Sequence, residues 1–288
     1  MSYTRDMSSA HGNLSPGVPL SAGGDQEGGG FSFGRNWDRF VRESFNEERV
    51  EISRRHLLDF LGVPDLSGKT FLDIGCGSGI HSLAAFRSGA SRVVSFDVDP
   101  FSVRATEWVR EKSGSPQAWV VLEGSILDRD FVSSLEPSDI VYSWGVLHHT
   151  GNLWEAVRNA AGRAPPGGLF YIALYEKTSE SPYWIDVKQR YNRASAMGKR
   201  FMELGYVYRT FLRTKSPGKL LGNLRQIFGY RASRGMAFWT DMRDWLGGWP
   251  YEPATPGEVT DFCERALGLK TVKVKTGEAN VEYLFARG

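Results

Sequence analysis

Only two cysteines, Cys76 and Cys263, occur in 288 residues. They cannot brace a disulfide framework, and without a histidine cluster they make no zinc site, so no metal is expected. Long apolar runs are missing too. No window approaches the roughly 18 consecutive apolar residues of a membrane-spanning helix, and the start lacks the basic-then-apolar stretch of a secretory signal. The expectation is a cytoplasmic protein with no membrane span. Net charge is nearly absent, with 35 Lys and Arg against 33 Asp and Glu for a formal +2, which by itself argues for neither a nucleic-acid nor a membrane partner. What is present, 41% hydrophobic and 24% charged residues, suffices for a sizeable core in one or two domains.

Residues 1–30 are rich in Gly, Ser and Pro with almost no large apolar side chains, and read as a disordered tail. Aromatic residues arrive with FSFGRNWDRF from Phe31, and Val50, Leu57, Leu58 and Leu61 follow at helical spacing, so 31–68 reads as an N-terminal helical cap. From Lys69, short apolar runs alternate with amphipathic stretches, the pattern of βαβ units around a parallel sheet. Strands are expected at Thr70–Ile74, Arg92–Phe96, Trp119–Leu122, Asp139–Ser143 and Leu169–Leu174. Asp99-Pro100 supplies a helix cap and first-turn proline. Leu153, Ala156, Val157, Ala160, Ala161 and Ala164 lie on one face of a later helix. A helix over Glu258–Leu267 and a closing hairpin, Lys270–Lys275 and Val281–Ala286, complete a core of 69–176 with 256–288. Residues 177–255 interrupt it as a helical and aromatic insertion.

The segment FLDIGCGSG runs from the first strand through Gly75, Gly77 and Gly79 into a helix. Glycines there let the backbone turn sharply and approach a ligand, while helix-start amides face an anion. A nucleotide-type cofactor is implied. A dinucleotide fingerprint needs its third glycine three residues beyond Gly77, where Ile80 stands. The second strand ends at Asp97, twenty residues past Gly77, where a carboxylate can accept both hydrogen bonds of a ribose diol.

With Asp73 two residues before Gly75, the segment resembles motif I of class I S-adenosylmethionine-dependent methyltransferases, acidic-x-Gly-x-Gly-x-Gly. Residues 138–176 look like the fourth strand, helix and fifth strand of the ubiquinone/menaquinone-type members. The resemblance covers about 69–176 closely. It implies a Rossmann-like α/β fold, a seven-stranded mostly parallel sheet with an antiparallel C-terminal hairpin and a helical insertion after the fifth strand. It also implies S-adenosyl-L-methionine as cofactor, held by Asp73, Gly75, Cys76, Gly77, Gly79, Asp97 and Val98, with Ser125 and Ile126 at the adenine. Ser143 and, from the N-terminal cap, Trp37 join the expected set.

Methyl transfer from a sulfonium to a hydroxyl or ammonium needs positioning and a base. His148 and His149 follow the fourth strand, where open α/β sheets place ligands. The position of His148 is similar to that of the base in plant-type phenolic O-methyltransferases. Capping the strand or packing against cofactor is the other reading of the pair. His81 reads as a surface or packing residue and His56 as structural.

Between Lys177 and Arg234 stand thirteen Lys or Arg against Glu180, Asp186 and Glu203. Aromatics interleave them, among them Tyr183, Trp184, Tyr191, Phe228 and Tyr230. Three readings stay open: a solvated basic face, an electropositive pocket for a carboxylate- or phosphate-bearing small molecule, or a groove for RNA or anionic lipid. The stretch 234–256, with Trp239, Trp245, Trp249 and Tyr251 among glycines, reads as a loop that walls the acceptor pocket or seals the core. The expected function is methyl transfer to a small, anionic acceptor, oxygen being favoured over other acceptor atoms. An RNA methyltransferase and a non-catalytic cofactor-binding subunit are the alternatives.

Overall fold

Alternating apolar runs and helices produce one seven-stranded sheet in this computed structural model, which describes residues 24–25, 31–32, 34–214, 216, 218, 222, 238–277 and 280–288. The strands are β1 (Thr70–Ile74), β2 (Arg92–Asp97), β3 (Trp119–Glu123), β4 (Ile140–Trp144), β5 (Leu169–Tyr175), β6 (Leu269–Thr276) and β7 (Asn280–Arg287). Their spatial order is β3-β2-β1-β4-β5-β7-β6. Strands β1 to β5 run parallel, while β7 lies antiparallel between β5 and β6. Strand order reverses between β1 and β4, and the carboxyl ends of these two strands diverge at the switch point where such sheets bind ligands.

Period-two alternation sends neighbouring residues to opposite layers. Phe71 and Val93 face a layer with Leu57, Leu83, Ala105 and Trp119. Leu72, Ile74 and Phe96 face another with Val141, Ala156, Val157 and Ala160. The first layer is built by α1 (Gly34–Ser44), α2 (Glu47–Leu61), α3 (Ile80–Arg87) and α4 (Pro100–Lys112). The second is built by α5 (Arg129–Ser134) and α6 (Leu153–Ala161), joined by α10 (Pro256–Asp261) and a turn of π-helix at Phe262–Ala266. Local chemistry fixes the ends. Asn46 caps α2, which stops at left-handed Gly62, and Thr255 with Glu258 forms a capping box on α10.

After β5 the chain leaves the sheet as α7 (Ser181–Arg193), α8 (Ala196–Val207) and a π turn, Tyr208–Leu212, with α9 (Phe238–Gly247) beyond. These share a small core of Tyr191, Val207, Phe211, Phe238, Met242 and Leu246. The loop expected over 234–256 is corrected by α9. Phe238, Met242 and Leu246 recur every four residues and bury one helical face. The tail expected over 1–30 lies outside the described residues, except that Gly24–Asp25 pairs with Phe31–Ser32. Phe228, Tyr230 and Glu278 also lie outside them.

Candidate active site

The glycine turn is made of backbone bonded to itself. Gly75 N–H and Cys76 N–H both donate to Phe96 O, at 2.8 and 3.0 Å, and Gly79 N–H donates to Cys76 O at 2.8 Å. Gly77 N–H donates to Asp97 Oδ2 at 3.0 Å. Four amides of the turn are therefore taken up within the protein, and a pyrophosphate would find none of these four donors free. Gly75 has φ +74°, and a Cβ there would stand 2.4 Å from Val146, so the turn and the segment after β4 touch.

Two carboxylates take the place an anion would have had. Asp97, at the end of β2, accepts from Gly77 N–H and, through Oδ1, from Asp99 N–H at 2.9 Å. Asp99 does the capping, accepting from Phe101 N–H and Gly34 N–H, which leaves Asp97 its remaining lone pairs. Asp73 is buried and accepts from Ser82 Oγ at 2.5 Å. Ser95 donates to Ser82, and Trp119 Nε1–H to Ser95, so a directed chain of donors ends on Asp73. Removal from water pushes Asp73 up to about 7, with the neighbouring charge of Asp97 adding to it. The same cause pushes Asp97 up to about 6. Neither is in an ion pair among the described residues. Two acids without a cation among the described residues, set around a turn whose amides at 75, 76, 77 and 79 are already bonded, fit a positively charged nucleoside such as S-adenosylmethionine better than a dinucleotide.

The other expected cofactor residues divide. Trp37 on α1 is buried, with its Nε1 3.1 Å from where a Gly77 Cβ would be, so the N-terminal helix lies on the glycine turn. Ile126 is buried beside Phe96 in the second layer, and half-buried Ser125 accepts from Leu127 N–H. Val98 is 66% exposed next to Asp97, an open apolar surface beside that carboxylate. Cys76 is buried and its Sγ accepts from Thr106 Oγ1, which makes its side chain a packing group. Ser143 has a fully buried hydroxyl that donates to Ile74 O at 3.0 Å, tying β4 to β1.

Across the switch point the character changes. His148 and His149 sit in a short 3-10 turn, Leu147–His149, after β4. The His148 ring is fully buried, 4.3 Å from both the His149 and Tyr175 rings, and neither nitrogen has a partner among the described residues. Burial, then His149 and Lys188, push it well below the usual imidazole range. His149 Nδ1–H donates to Pro250 O at 2.5 Å, and burial lowers this ring to about 3. Both rings are therefore neutral at physiological pH.

Sequence reasoning missed what surrounds them. Lys188 of α7 is 1% exposed, donates to Trp245 O, and holds its ammonium 4.3 Å from the Trp245 ring and 5.0 Å from that of Tyr251. Trp245 and Tyr251 in turn pack on Tyr175 at the carboxyl end of β5. Glu252 N–H donates to His148 O, closing the chain after α9 over the histidine turn. Tyr175 lies one residue beyond the expected strand Leu169–Leu174 and ends the observed one. Lys188 carried no signal beyond membership in a basic segment. His81, at the start of α3, is a packing group, with Ser53 Oγ and Tyr142 OH at 2.8 and 3.1 Å from its Nδ1. No group of three or more His, Cys, Asp or Glu able to hold a metal occurs among the described residues. No helix there is long and apolar enough to cross a membrane.

The methyltransferase-domain family matches residues 45–227. The ubiquinone biosynthesis O-methyltransferase of Methylobacterium sp. (strain 4-46) is 34% identical over 128 residues, covering 44% of this chain and 49% of that protein. The ribosomal protein L11 methyltransferase of Tolumonas auensis is 44% identical over 130 residues, 45% of this chain and 41% of that one. The chain thus spans about half or less of the curated relatives it matches. Magnesium protoporphyrin IX methyltransferase from Synechocystis PCC 6803, solved with bound SAH, shares the fold at 13% identity and TM-score 0.51, over 88% of this chain and 94% of that one.

Proposed function

The chain belongs to the methyltransferase-domain family, and on that premise we propose that it methylates a small, anionic acceptor using S-adenosylmethionine, at oxygen in preference to other atoms. One observation carries the reading. The uncompensated pair Asp73 and Asp97 stands on one side of the β1/β4 switch point, and on the other a buried lysine faces a neutral, unpartnered histidine.

S-adenosylmethionine, when bound, supplies a methyl group on a sulfonium, open to in-line attack. Asp97 would hold the ribose diol, Asp73 the ammonium end, and Trp37 with Ile126 the apolar faces. Segment 31–68 acts as a cap over that half and 177–255 as a lid over the acceptor. Lys188 receives the acceptor's carboxylate or phosphate among Trp245 and Tyr251, where low polarity strengthens the pairing. Its positive charge is one cause of the low basicity of His148. An anion paired with Lys188 cancels that charge, so acceptor binding itself makes His148 a better proton acceptor. His148 would take the proton of the acceptor hydroxyl, whose oxygen would gain the methyl group as the sulfonium carbon–sulfur bond breaks and adenosylhomocysteine leaves. His149, fixed by Pro250 O, keeps its neighbour's ring in place.

Incubating the full chain with methyl-labelled S-adenosylmethionine and a panel of hydroxylated carboxylates and phosphate esters tests the proposal. Label should enter an anionic member and not its neutral analogue, with His148→Gln losing rate and changing its pH dependence. Label entering only RNA, with activity falling steeply as salt rises, would favour the RNA reading. Tight cofactor binding with no turnover on any acceptor would favour a non-catalytic subunit.

A further inference from the structure

Helix α8 is apolar on the wrong side. Its inward face, Glu203 and Val207 continued by Phe211 of the π turn, packs into the small core of the insertion with Met202 and Tyr206. Its outward face carries Met197, Phe201, Leu204 and Tyr208, at 69, 68, 58 and 60% exposure. These follow the i, i+4, i+7, i+11 spacing of a single stripe, opposite the buried one. Scattered exposed apolar residues need no explanation, but a contiguous row of four large ones does.

Charge around the stripe is mostly positive, although Asp186 on α7, three residues from Tyr183, is half exposed and pairs with Arg190. Arg193, Arg200, Arg209 and Arg213 are exposed on or beside it. Between Val187 and Thr214 the sole carboxylate is Glu203. That group is buried, accepts from Tyr191 OH and Arg243, and also lies 3.6 Å from the guanidinium of Arg200, which remains largely exposed. No acidic side chain of the segment therefore projects from the outward surface. Arg209 stacks over Tyr183, itself 41% exposed, which extends the mixed cationic and apolar surface onto α7.

We infer that this face of the insertion docks on the surface of an anionic lipid bilayer, with α8 lying in the interface plane. An apolar ridge flanked by cations matches a layer that offers acyl chains just beneath negative headgroups. RNA would pair with the arginines but leave Met197 and Leu204 without a partner, since sequence-tolerant nucleic-acid binding uses planar side chains for stacking. The contact is peripheral, because no described helix is long enough to span. It brings the lid beside Lys188 to the level of the headgroups, so an amphiphilic acceptor could reach the site without leaving its membrane. The docking itself does not depend on the assigned reaction.

Flotation of the full chain with phosphatidylcholine vesicles, alone or mixed with phosphatidylglycerol, tests it. The chain should float with the anionic vesicles and not with the neutral ones. Phe201→Ser combined with Leu204→Ser should weaken flotation by roughly tenfold or more. Both side chains are exposed, so this variant should melt and bind adenosylhomocysteine like the parent. Arg200→Gln with Arg213→Gln should weaken it further by about tenfold. Failure to float with anionic vesicles overturns the inference, as does equal flotation of the Phe201/Leu204 variant. Retention of single-stranded RNA that the apolar substitutions leave unchanged, or a shift from dimer to monomer on those substitutions without vesicle binding, would reassign the face to RNA or to self-association.

Discussion

The two sides of the switch point solve opposite problems. On the β1–β2 side, backbone amides are spent on Phe96 O, Cys76 O and Asp97, and two carboxylates are left without a cation. On the β4–β5 side, an ammonium is buried against rings and a histidine is left without a partner. The β1–β2 side is short-range and made largely of main chain. The β4–β5 side is assembled from residues as far apart as His148, Lys188 and Tyr251. Negative charge held out of water favours a cationic ligand on the first side, and the proposed anionic acceptor would meet Lys188 on the second.

The sharpest way to break the comparison is at Gly75. An alanine there would bring its Cβ to 2.4 Å from Val146 and must hold φ near +74°. Adenosylhomocysteine affinity should fall by about 100-fold or more, the strain and the displaced turn acting together. Gly167→Ala is the matched control, with φ +77° and open space around its Cβ. It should cost about 1 kcal/mol of stability and leave cofactor affinity unchanged.

Next in size is Asp97→Asn, which keeps the shape but loses charge and acceptor capacity. It should weaken adenosylhomocysteine by about 10- to 100-fold by calorimetry. Lys188→Met should leave that affinity intact and reduce kcat/KM for an anionic acceptor by a similar factor, about 10- to 100-fold, with KM carrying most of the loss. Lys188→Arg should restore part of it. A parallel loss of cofactor affinity in Lys188→Met would merge the two halves into one.

The smallest expected effect is in pH. Asp73 is raised by burial to about 7, so the folded apo chain keeps a proton there after the unfolded chain has lost it. Stability of the apo form should therefore fall as pH rises from the ordinary carboxylate range towards 7. A cationic cofactor binds the ionised form, so its affinity should rise over the same interval and level off above it. Asp73→Asn should reduce both slopes to the part that Asp97, raised to about 6, still supplies, and profiles unchanged by that substitution would remove the buried Asp73 carboxylate from the cofactor's charge balance.

Legibility followed the same division. The strands, the glycine turn, Asp97 and the Asp99-Pro100 cap were readable because alternation, spacing and capping are local. The bond from the Ser143 hydroxyl to Ile74 O is one that a position at a strand end does not reveal. The glycines of 234–256 suggest a loop, whereas Phe238, Met242 and Leu246 recur every four residues and form α9. Lys188 was illegible in principle, since its burial depends on Trp245 and Tyr251 folding back from beyond the insertion.

Parallel calorimetric titration of the full chain with adenosylhomocysteine and with NADH, repeated on Asp97→Asn, tests the central claim most directly. Binding of adenosylhomocysteine that weakens in the variant, with no heat from NADH, is the predicted result. Tight NADH binding with no response to adenosylhomocysteine would contradict it.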